Sequence, residues 1–266
     1  MDPITMLGVI ALGLAVGVIV GMTSVGSGAL MTPILLLDFS GVIGRAFVVG
    51  TATTQGTITK FVASARNYLR NGLRGEYAFM IAVTGVPLAI FGAFFSKSFI
   101  TWNLFQPLLS GVLLLVGVLI IVQLKTNRMN HSENPKVSGR LRAKGMLVGL
   151  VVGLIAGLTG ISTGSLLVSA LIILLKFPNR TAVNIAIFEG GLILLAATFA
   201  QIYLGNVDFP ITGLLVVGGI PGILIGSHFK DRINQRLLGY GIAGVIIIES
   251  VRTLSSFLFG KSFFVF

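Results

Sequence analysis

Cysteine is absent from the 266 residues of this chain, and only two histidines are present. Without cysteine the chain has no disulfide bond, no thiolate nucleophile and no cysteine metal site. The sequence also has no cluster of histidines and carboxylates that would hold a catalytic metal, and no phosphate-binding loop of the nucleotide-hydrolase type. We therefore expect no metal and no cofactor.

Charged side chains are scarce as well. They make up 10% of the chain, against 55% hydrophobic residues, and the mean hydropathy is +0.99. A soluble domain of this length does not have such a composition. Because a helix needs about 20 apolar residues to cross the hydrocarbon core, the chain has room for roughly eight to ten helical segments and for no sizeable soluble domain. We expect an all-α polytopic membrane protein.

The few charges are mostly positive, and the formal net charge is +11. In a soluble protein this excess would suggest a nucleic-acid partner. Here most basic residues lie in short loops between apolar runs, which is the positive-inside pattern of membrane proteins. We therefore expect the lipid bilayer as a partner, a multi-pass location in a membrane and no nucleic acid. The N-terminus has no basic region followed by a cleavage site, so we expect the first segment to be retained.

Apolar segments divide the chain into two halves of five. The first half has segments at about 5–22, 28–38, 46–65, 77–95 and 104–124. The second half has segments at about 145–158, 164–176, 181–204, 210–228 and 237–257. Between the halves lies a basic stretch that is typical of a solvated linker. The predicted units are a first transmembrane repeat at 1–124, a cytoplasmic linker at 125–144 and a second transmembrane repeat at 145–266.

The two halves share a sequence pattern. The string GMTSVGSGAL at 21–30 recurs as GLTGISTGSL at 157–166, and each copy interrupts an apolar stretch. We call residues 23–28 the first break and residues 159–164 the second break. In membrane proteins, glycine-interrupted segments at corresponding places in two repeats indicate the binding site of a transporter.

The loop charges predict that the second repeat is inverted relative to the first. The loop after the third segment is basic in the first half, whereas its equivalent in the second half carries Asp208 and no base. The loop after the fourth segment reverses this pattern, with only Lys97 in the first half. The basic residues concerned are Arg66, Arg70 and Arg74 in the first half and Lys230, Arg232 and Arg236 in the second. With the linker inside, both termini are predicted to be external.

Inversion requires an odd number of crossings in each half, so the first two segments of each repeat should form a hairpin. The second segments, 28–38 and 164–176, are too short for a full crossing. We therefore predict a broken or re-entrant hairpin in each repeat. Irregular backbone at membrane depth must line a cavity or be buried in protein, and the two breaks should meet near the midplane.

Both breaks are rich in hydroxyl groups, and a short helix begins after each. A helix N-terminus offers free N–H groups and a partial positive charge, which suits a small oxyanion. The third segments add polar side chains at helical spacing. The predicted substrate-binding residues are Thr23, Ser24, Gly26, Ser27, Gly28, Thr51, Gln55, Thr159, Ser162, Thr163, Gly164 and Asn184. The alternative is that these residues only permit a sharp turn and close packing.

Glu189 is the one carboxylate that the sequence places deep in the membrane. A low dielectric favours the neutral form of a carboxyl group, so Glu189 should be protonated unless a cation lies near it. Because a charged carboxylate would repel a transported anion, Glu189 is the candidate for proton coupling and protons are a candidate partner. The alternative is a structural hydrogen bond between helices.

Three other features have simpler expectations. Lys60 should snorkel toward the cytoplasmic face, and the alternative is a role in substrate binding. Glu249 and Arg252 should form an i,i+3 ion pair. Pro87 and Pro221, in equivalent fourth segments, should kink their helices, either for gating or for packing.

An intramembrane hydrolase is a remote alternative, because Ser27 lies in a Gly-Ser-Gly sequence. Serine catalysis needs a nearby base. His131 is in the linker and His228 is at the cytoplasmic end of its segment, so neither is expected near a serine at the midplane. A purely structural role would not require two polar breaks at membrane depth.

In these motifs the chain resembles the sulfite exporter TauE/SafE family, also called the toluene sulfonate uptake permease family. The strings that carry the resemblance are GMTSVGSGALMTPILLL, AFVVGTATTQG, GLTGISTGSLLVSALIILL and GNVDFPITGLLVVGGIPGILIG. The resemblance implies secondary transport of a small sulfur-containing anion, such as sulfite, sulfoacetate, another organosulfonate or thiosulfate, across a bacterial or archaeal inner membrane.

By the same resemblance, Gly26-Ser27-Gly28 and Ser162-Thr163-Gly164 match the paired glycine-rich motifs of the family, and Val49-Gly50-Thr51 matches its Val-Gly-Thr motif. The second half departs from the family, since Asn184-Ile185 replaces Gly-Thr. An inside-negative potential favours the exit of an anion by about 2.3 kcal/mol per charge per 100 mV, so we expect an exporter. The alternative is a carrier of the same architecture for another small anion, such as a carboxylate.

Overall fold

The computed structural model describes residues 1–23, 26–71, 75–101, 104–126, 135, 138–161, 164–229 and 235–259. Within these ranges the chain forms ten α-helices and no β-strand, which confirms the predicted all-α fold. The helices are α1 Pro3–Thr23, α2 Gly28–Leu37, α3 Arg45–Asn71, α4 Gly75–Thr101, α5 Phe105–Thr126, α6 Gly139–Thr159, α7 Gly164–Ile173, α8 Asn179–Tyr203, α9 Phe209–Phe229 and α10 Gln235–Phe259.

In the described part of the chain, seven helices are long and apolar enough to cross a membrane, namely α1, α4, α5, α6, α8, α9 and α10. The 27-residue α3 is long enough too, but its threonines, Gln55 and Lys60 lower its hydropathy. These polar side chains are buried inside the protein rather than facing outward. α2 and α7 have 10 residues each, about 15 Å of helix, which is about half of the hydrocarbon core.

The helix α6 begins at Gly139, six residues before the apolar segment predicted at 145. Ser138 has an extended backbone, and its side chain accepts a hydrogen bond of 3.2 Å from Leu141 N. This is an N-cap, which starts the helix one and a half turns earlier. Arg140 and Arg142 are exposed, so the added turn remains compatible with the basic composition that suggested a linker. Residues 127–134, 136 and 137 lie outside the described residues.

Glycines bring two pairs of helices into backbone contact. A Cβ atom at Gly17 of α1 would lie 2.4 Å from the carbonyl oxygen of Gly219 in α9. A Cβ atom at Gly153 of α6 would lie only 2.2 Å from the carbonyl oxygen of Gly85 in α4. No residue larger than glycine fits at these crossings, as is usual where membrane helices pack closely. Gly85 and Gly219 belong to the repeated Gly-x-Pro motif, so the two crossings are equivalent in the two halves.

The glycine contacts also give the relative directions of these helices. Along α1, Gly13, Gly17 and Gly21 successively face Leu215, Gly219 and Ile223 of α9, so the two helices run parallel. Along α6, Gly149, Gly153 and Gly157 successively face Ile81, Gly85 and Ala89 of α4, which is again a parallel pair. The first helix of each half therefore packs along the fourth helix of the other half.

The helices that occupy equivalent places in the two halves run antiparallel where they meet. Gly50 of α3 lies against Asn206, three residues after the end of α8, whereas Thr57, further along α3, hydrogen-bonds Thr198 inside α8 at 2.7 Å. In the α5–α10 pair, Ser250 Oγ donates to the carbonyl of Ser110 at 2.8 Å, and Gly117, further along α5, faces Ile247. An inverted pair of repeats requires these directions. The inversion itself stays a prediction.

The structure shows the positions of the predicted ion pair and of the two prolines. Arg252 Nη1 lies 2.9 Å from Glu249 Oε1, which confirms the predicted i,i+3 pair. α4 continues through Pro87 and α9 continues through Pro221, and both prolines are exposed on the outside of the bundle. Their roles as kinks or gating points stay predictions.

Candidate functional site

In the first break, Ser27 is the last residue before α2, which begins at Gly28. The backbone of Ser27 is already helical, and its side chain makes no capping hydrogen bond. Ser27 is 1% exposed, and among the described residues its Oγ has no hydrogen-bond partner. This hydroxyl lies against α3, since a Cβ atom at Gly56 would be 3.2 Å from Ser27 Oγ. The Ser27 hydroxyl is therefore buried between α2 and α3, and it neither caps α2 nor hydrogen-bonds another described residue.

In the second break, Gly160 is the first residue after α6, and it has a left-handed backbone with φ of 68°. Its N–H donates to the carbonyl of Ala156 and closes α6 in the manner of a C-terminal cap. A Cβ atom at Gly160 would lie 3.0 Å from the carbonyl oxygen of Val49, 3.2 Å from Thr53 Oγ1 and 3.4 Å from Thr32 Oγ1. The second break thus contacts α3 and α2 of the first half.

One face of α3 therefore contacts both breaks. Thr53 lies against Gly160, and Gly56, three residues further, lies against Ser27. Positions three and four apart share one face of a helix, so Lys60 continues the row that Thr53 and Gly56 begin. The described ends of the two breaks lie less than one helical turn apart along α3.

Buried polar atoms without partners concentrate in this region. Nearly all buried polar groups in proteins are hydrogen-bonded, so such a group of exceptions needs an explanation. Among the described residues, the unpartnered atoms of this region are Ser27 Oγ, Thr32 Oγ1, Gln55 Oε1 and Nε2, Ser165 Oγ, and both carboxylate oxygens of Glu189. Asn206 Oδ1 and Glu249 Oε2 are also unpartnered. Hydroxyl and amide groups in this state are available to a small polar ligand or to water.

Gln55 contributes the largest polar group of the set. It is fully buried on α3, and a Cβ atom at Gly219 would lie 3.4 Å from its Nε2. The amide therefore faces α9 two residues before Pro221. A side-chain amide offers two N–H donors, which suits the oxygens of an anion.

Two predicted substrate-binding hydroxyls have structural partners instead. Thr51 Oγ1 accepts a hydrogen bond of 3.1 Å from Asp208 N, at the start of α9. Thr159 Oγ1 donates to the carbonyl of Ile155 at 2.7 Å and accepts from Ile161 N at 3.2 Å. These hydroxyls stabilise the backbone around the breaks.

The remaining predicted residues are distributed around the breaks. Gly26 and Gly28 are buried at the first break, and Gly164 is buried at the start of α7. Asn184 is half-buried near the start of α8. Ser24, Ser162 and Thr163, together with the side chain of Thr23, lie outside the described residues.

Lys60 does not snorkel to the surface, so that expectation is wrong. Its side chain is only 4% exposed, and it interacts electrostatically with Glu189, which is fully buried. Glu189 therefore has a cationic neighbour, contrary to the sequence-based picture of a lone carboxylate. The missed information is that α8 packs on the face of α3 that carries Lys60, which one helix considered alone does not reveal.

A serine hydrolase finds no support in this geometry. A catalytic serine needs a base within hydrogen-bond reach. Ser27 Oγ has no such partner among the described residues, and His228 is exposed in the last turn of α9.

Comparison with known proteins gives two matches over most of the chain. Residues 9–253 match the family described as sulfite exporter TauE/SafE. The chain is also 31% identical over 257 residues to the probable membrane transporter protein YjnA of Bacillus subtilis (strain 168), covering 92% of this chain and 98% of that protein. No solved structure matches the chain.

Proposed function

Because the chain belongs to the sulfite exporter TauE/SafE family, we propose that it exports small sulfur-containing anions such as sulfite, thiosulfate or organosulfonates. The family is one of membrane transporters, so the chain is a multi-pass membrane transporter and not an enzyme. Its substrate and mechanism are the proposal that follows.

The observation that carries the proposal is the group of unpartnered buried polar atoms beside the two breaks. Ser27 and Ser165 lie at the starts of α2 and α7, where free backbone N–H groups and the helix dipole favour an anion. Gln55 adds N–H donors from α3. In our proposal the anion binds among these three side chains and the amides of Gly28 and Gly164.

The other predicted residues complete the site or position its backbone in this proposal. Ser24, Ser162, Thr163, Thr23 and Gly26 complete the two breaks, and Asn184 contributes from α8. Thr51 and Thr159 position the backbone through the hydrogen bonds that they make.

Transport proceeds by alternating access in this proposal. The two repeats are inverted, and the parallel and antiparallel helix pairs described above support that arrangement. Rocking of one repeat against the other opens the site to each side of the membrane in turn. Pro87 and Pro221 lie close to the glycine crossings, where a change of helix angle would be transmitted to α1 and α6.

The direction of transport follows from the gradients. The anion moves outward down its own concentration gradient, and an inside-negative potential assists any net negative charge that moves with it. The protein lies in the cell inner membrane with the linker in the cytoplasm and both termini outside, as the basic loops indicate.

The test is solute flux in liposomes containing the purified protein. We expect saturable flux of sulfite, thiosulfate or an organosulfonate down an imposed gradient, with reduced flux for Ser27→Ala. Ser40→Ala is the matched control, because Ser40 is exposed and its hydroxyl lies 3.4 Å from the carbonyl of Leu37. Absence of saturable flux for every sulfur anion, or flux of a carboxylate alone, would contradict the proposed substrate class.

A further inference from the structure

Lys60 and Glu189 are a basic and an acidic side chain that lie buried near each other, next to the proposed site. The antiparallel contacts of α3 and α8 bring them to the same level, since Gly56 faces Leu194 at 3.6 Å and the two sequences run in opposite directions from there. Lys60 lies one turn after Gly56, and Glu189 lies five residues before Leu194. Both side chains are buried, and they interact electrostatically.

The pair is incomplete as a structural salt bridge. Neither carboxylate oxygen of Glu189 accepts a hydrogen bond from the described residues. A buried ion pair offsets the cost of desolvation only when its geometry is good and the remaining lone pairs are satisfied. A carboxylate that lies near its cation without accepting a hydrogen bond can be replaced there by another anion.

Lys60 is also connected to the anion site by position. Gly56, which faces Ser27 Oγ, is one turn away from Lys60 on the same face of α3. A lysine ammonium is a compact charge on a flexible four-carbon chain, so it can turn from a carboxylate to an anion without movement of the helix.

Few other charges act on this pair. The described helices that pack against α3 and α8 are α2, α4, α6, α7 and α9. Apart from Lys60 and Glu189, the titratable residues of these seven helices lie within five residues of a helix end. They are Arg45, Arg66, Tyr68 and Arg70 on α3, Glu76, Tyr77 and Lys97 on α4, Arg140, Arg142 and Lys144 on α6, Arg180 and Tyr203 on α8, and His228 on α9, with Asp38 and Asp208 flanking α2 and α9.

We propose that Lys60 is the counterion of the transported anion, that the anion and the Glu189 carboxylate alternate as its partner, and that Glu189 takes up one proton for each monovalent anion bound. This inference rests on the proposed function and specifies the charge of its substrate. When the anion occupies Lys60, an ionised Glu189 would leave an uncompensated buried negative charge. Uptake of one proton from the aqueous side that supplies the anion forms an O–H on Glu189 and restores neutrality. The proton leaves when the anion is released and Lys60 pairs with the carboxylate again.

Two consequences follow for the transport reaction. A monovalent anion crosses together with one proton, so the loaded protein carries no net charge and the flux follows the anion and proton gradients rather than the membrane potential. A divalent anion would leave one negative charge in the site even with Glu189 protonated, so monovalent sulfonates and hydrogen sulfite should be preferred to thiosulfate.

The experiment uses liposomes containing the full-length protein and ethanesulfonate, which stays monovalent and carries no proton of its own. An internal pH dye reports protons, and potassium with valinomycin sets the potential. Hydrogen sulfite at pH 6 serves as a second monovalent probe for potential dependence. For the wild type we expect one proton per ethanesulfonate and flux that does not change with the potential.

Glu189→Gln should retain flux, lose the accompanying proton movement and gain dependence on the potential. The loaded site is still neutral in this variant, but the empty site returns with the charge of Lys60 unpaired, so each cycle moves one net charge. Lys60→Gln should lower flux at least tenfold, Lys60→Arg should retain it, and Lys125→Gln, on the exposed last turn of α5, is the control. The wild-type stoichiometry and Glu189→Gln decide the matter if Lys60→Gln does not fold.

Potential-driven wild-type flux without protons, proton movement that persists in Glu189→Gln, or a preference for thiosulfate over the monovalent probes would overturn this inference and leave the proposed function standing. If the wild type carries no sulfur anion at all, the proposed function fails first.

Discussion

Arg252 Nη2 lies 2.6 Å from Asp38 Oδ1, which joins α10 to the end of α2 across 214 positions of sequence. The same guanidinium binds Glu249 through Nη1 at 2.9 Å, and the side chain of Arg252 is only 3% exposed. α2 is short, and Asp38 is its C-terminal cap. The ion cluster therefore anchors the helix that begins at the first break to the last helix of the second half.

Replacing Arg252 should destabilise the fold substantially. Arg252→Gln leaves two carboxylates, Asp38 and Glu249, without their common cation, and removal of one member of a buried ion pair costs about 3 kcal/mol or more. The measurement is the free energy of unfolding in detergent micelles by titration with SDS. Arg142→Gln is the control, because Arg142 is exposed and its loss should change the stability by less than about 0.5 kcal/mol. Equal stabilities of the two variants would contradict the structural role of the cluster.

Two glycines on α1 provide a matched test of helix packing. A Cβ atom at Gly17 would meet the backbone of Gly219 at 2.4 Å, whereas at Gly8 no atom lies within 4 Å. Gly17→Ala should therefore lower the free energy of unfolding by about 1–3 kcal/mol through overpacking. Gly8→Ala should leave it unchanged or raise it by up to about 1 kcal/mol, since alanine favours helix. A neutral Gly17→Ala would mean that α1 and α9 are further apart than the structure has them.

Much of this architecture could be predicted from local sequence. The apolar runs, the two glycine-rich breaks and the short segments after them correspond to α1, α2 and α7 within three residues, and to the end of α6. These signals are local, because the length of an apolar run and an interruption by glycine are properties of one segment. The start of α6 was missed because a single serine, Ser138, provides the cap.

Contacts between the halves could not be predicted in this way. Lys60 meets Glu189, and Asp38 meets Arg252, only because α3 packs on α8 and α2 packs on α10. A membrane helix can be apolar on every side, so its hydropathy pattern does not tell which face meets which neighbour. For the same reason the sequence grouped Thr51 with Gln55, although the structure gives Thr51 a backbone partner and leaves the Gln55 amide unpartnered.

Replacing Gln55 and replacing Gln201 should have different effects, because we assign the first amide to ligand binding and the second to the structure. Gln55→Leu removes a buried amide that has no partner, so stability should be unchanged or higher. The KM for the sulfur anion should rise about tenfold or more, since a hydrogen bond to a charged group contributes about 1.5–3 kcal/mol. Flux at subsaturating anion should fall accordingly. Stability is measured by SDS titration and KM by initial flux in liposomes.

Gln201→Leu is the opposite case. Its amide donates to Ser96 Oγ at 2.8 Å and accepts from Asn206 Nδ2 at 2.9 Å, so its loss leaves buried groups unpaired. We expect a decrease in stability of about 1–3 kcal/mol and no change in KM. If Gln55→Leu transports normally, or if Gln201→Leu changes KM, the assignment of the two amides is wrong.

The last prediction concerns Thr51, which the sequence predicts to bind the substrate and which the structure places at the start of α9. Thr51 Oγ1 accepts the N–H of Asp208, and Asp208 Oδ1 in turn caps α9 by accepting from Ile211 N at 3.1 Å. Thr51→Val keeps the shape but leaves the Asp208 N–H without its acceptor, at a cost of about 1–3 kcal/mol. Thr51→Ser keeps the hydroxyl and should restore most of that stability. The KM for the sulfur anion should be the same in both variants, because the hydroxyl serves the helix start and not the ligand. A raised KM in Thr51→Val at wild-type stability would return Thr51 to the substrate site.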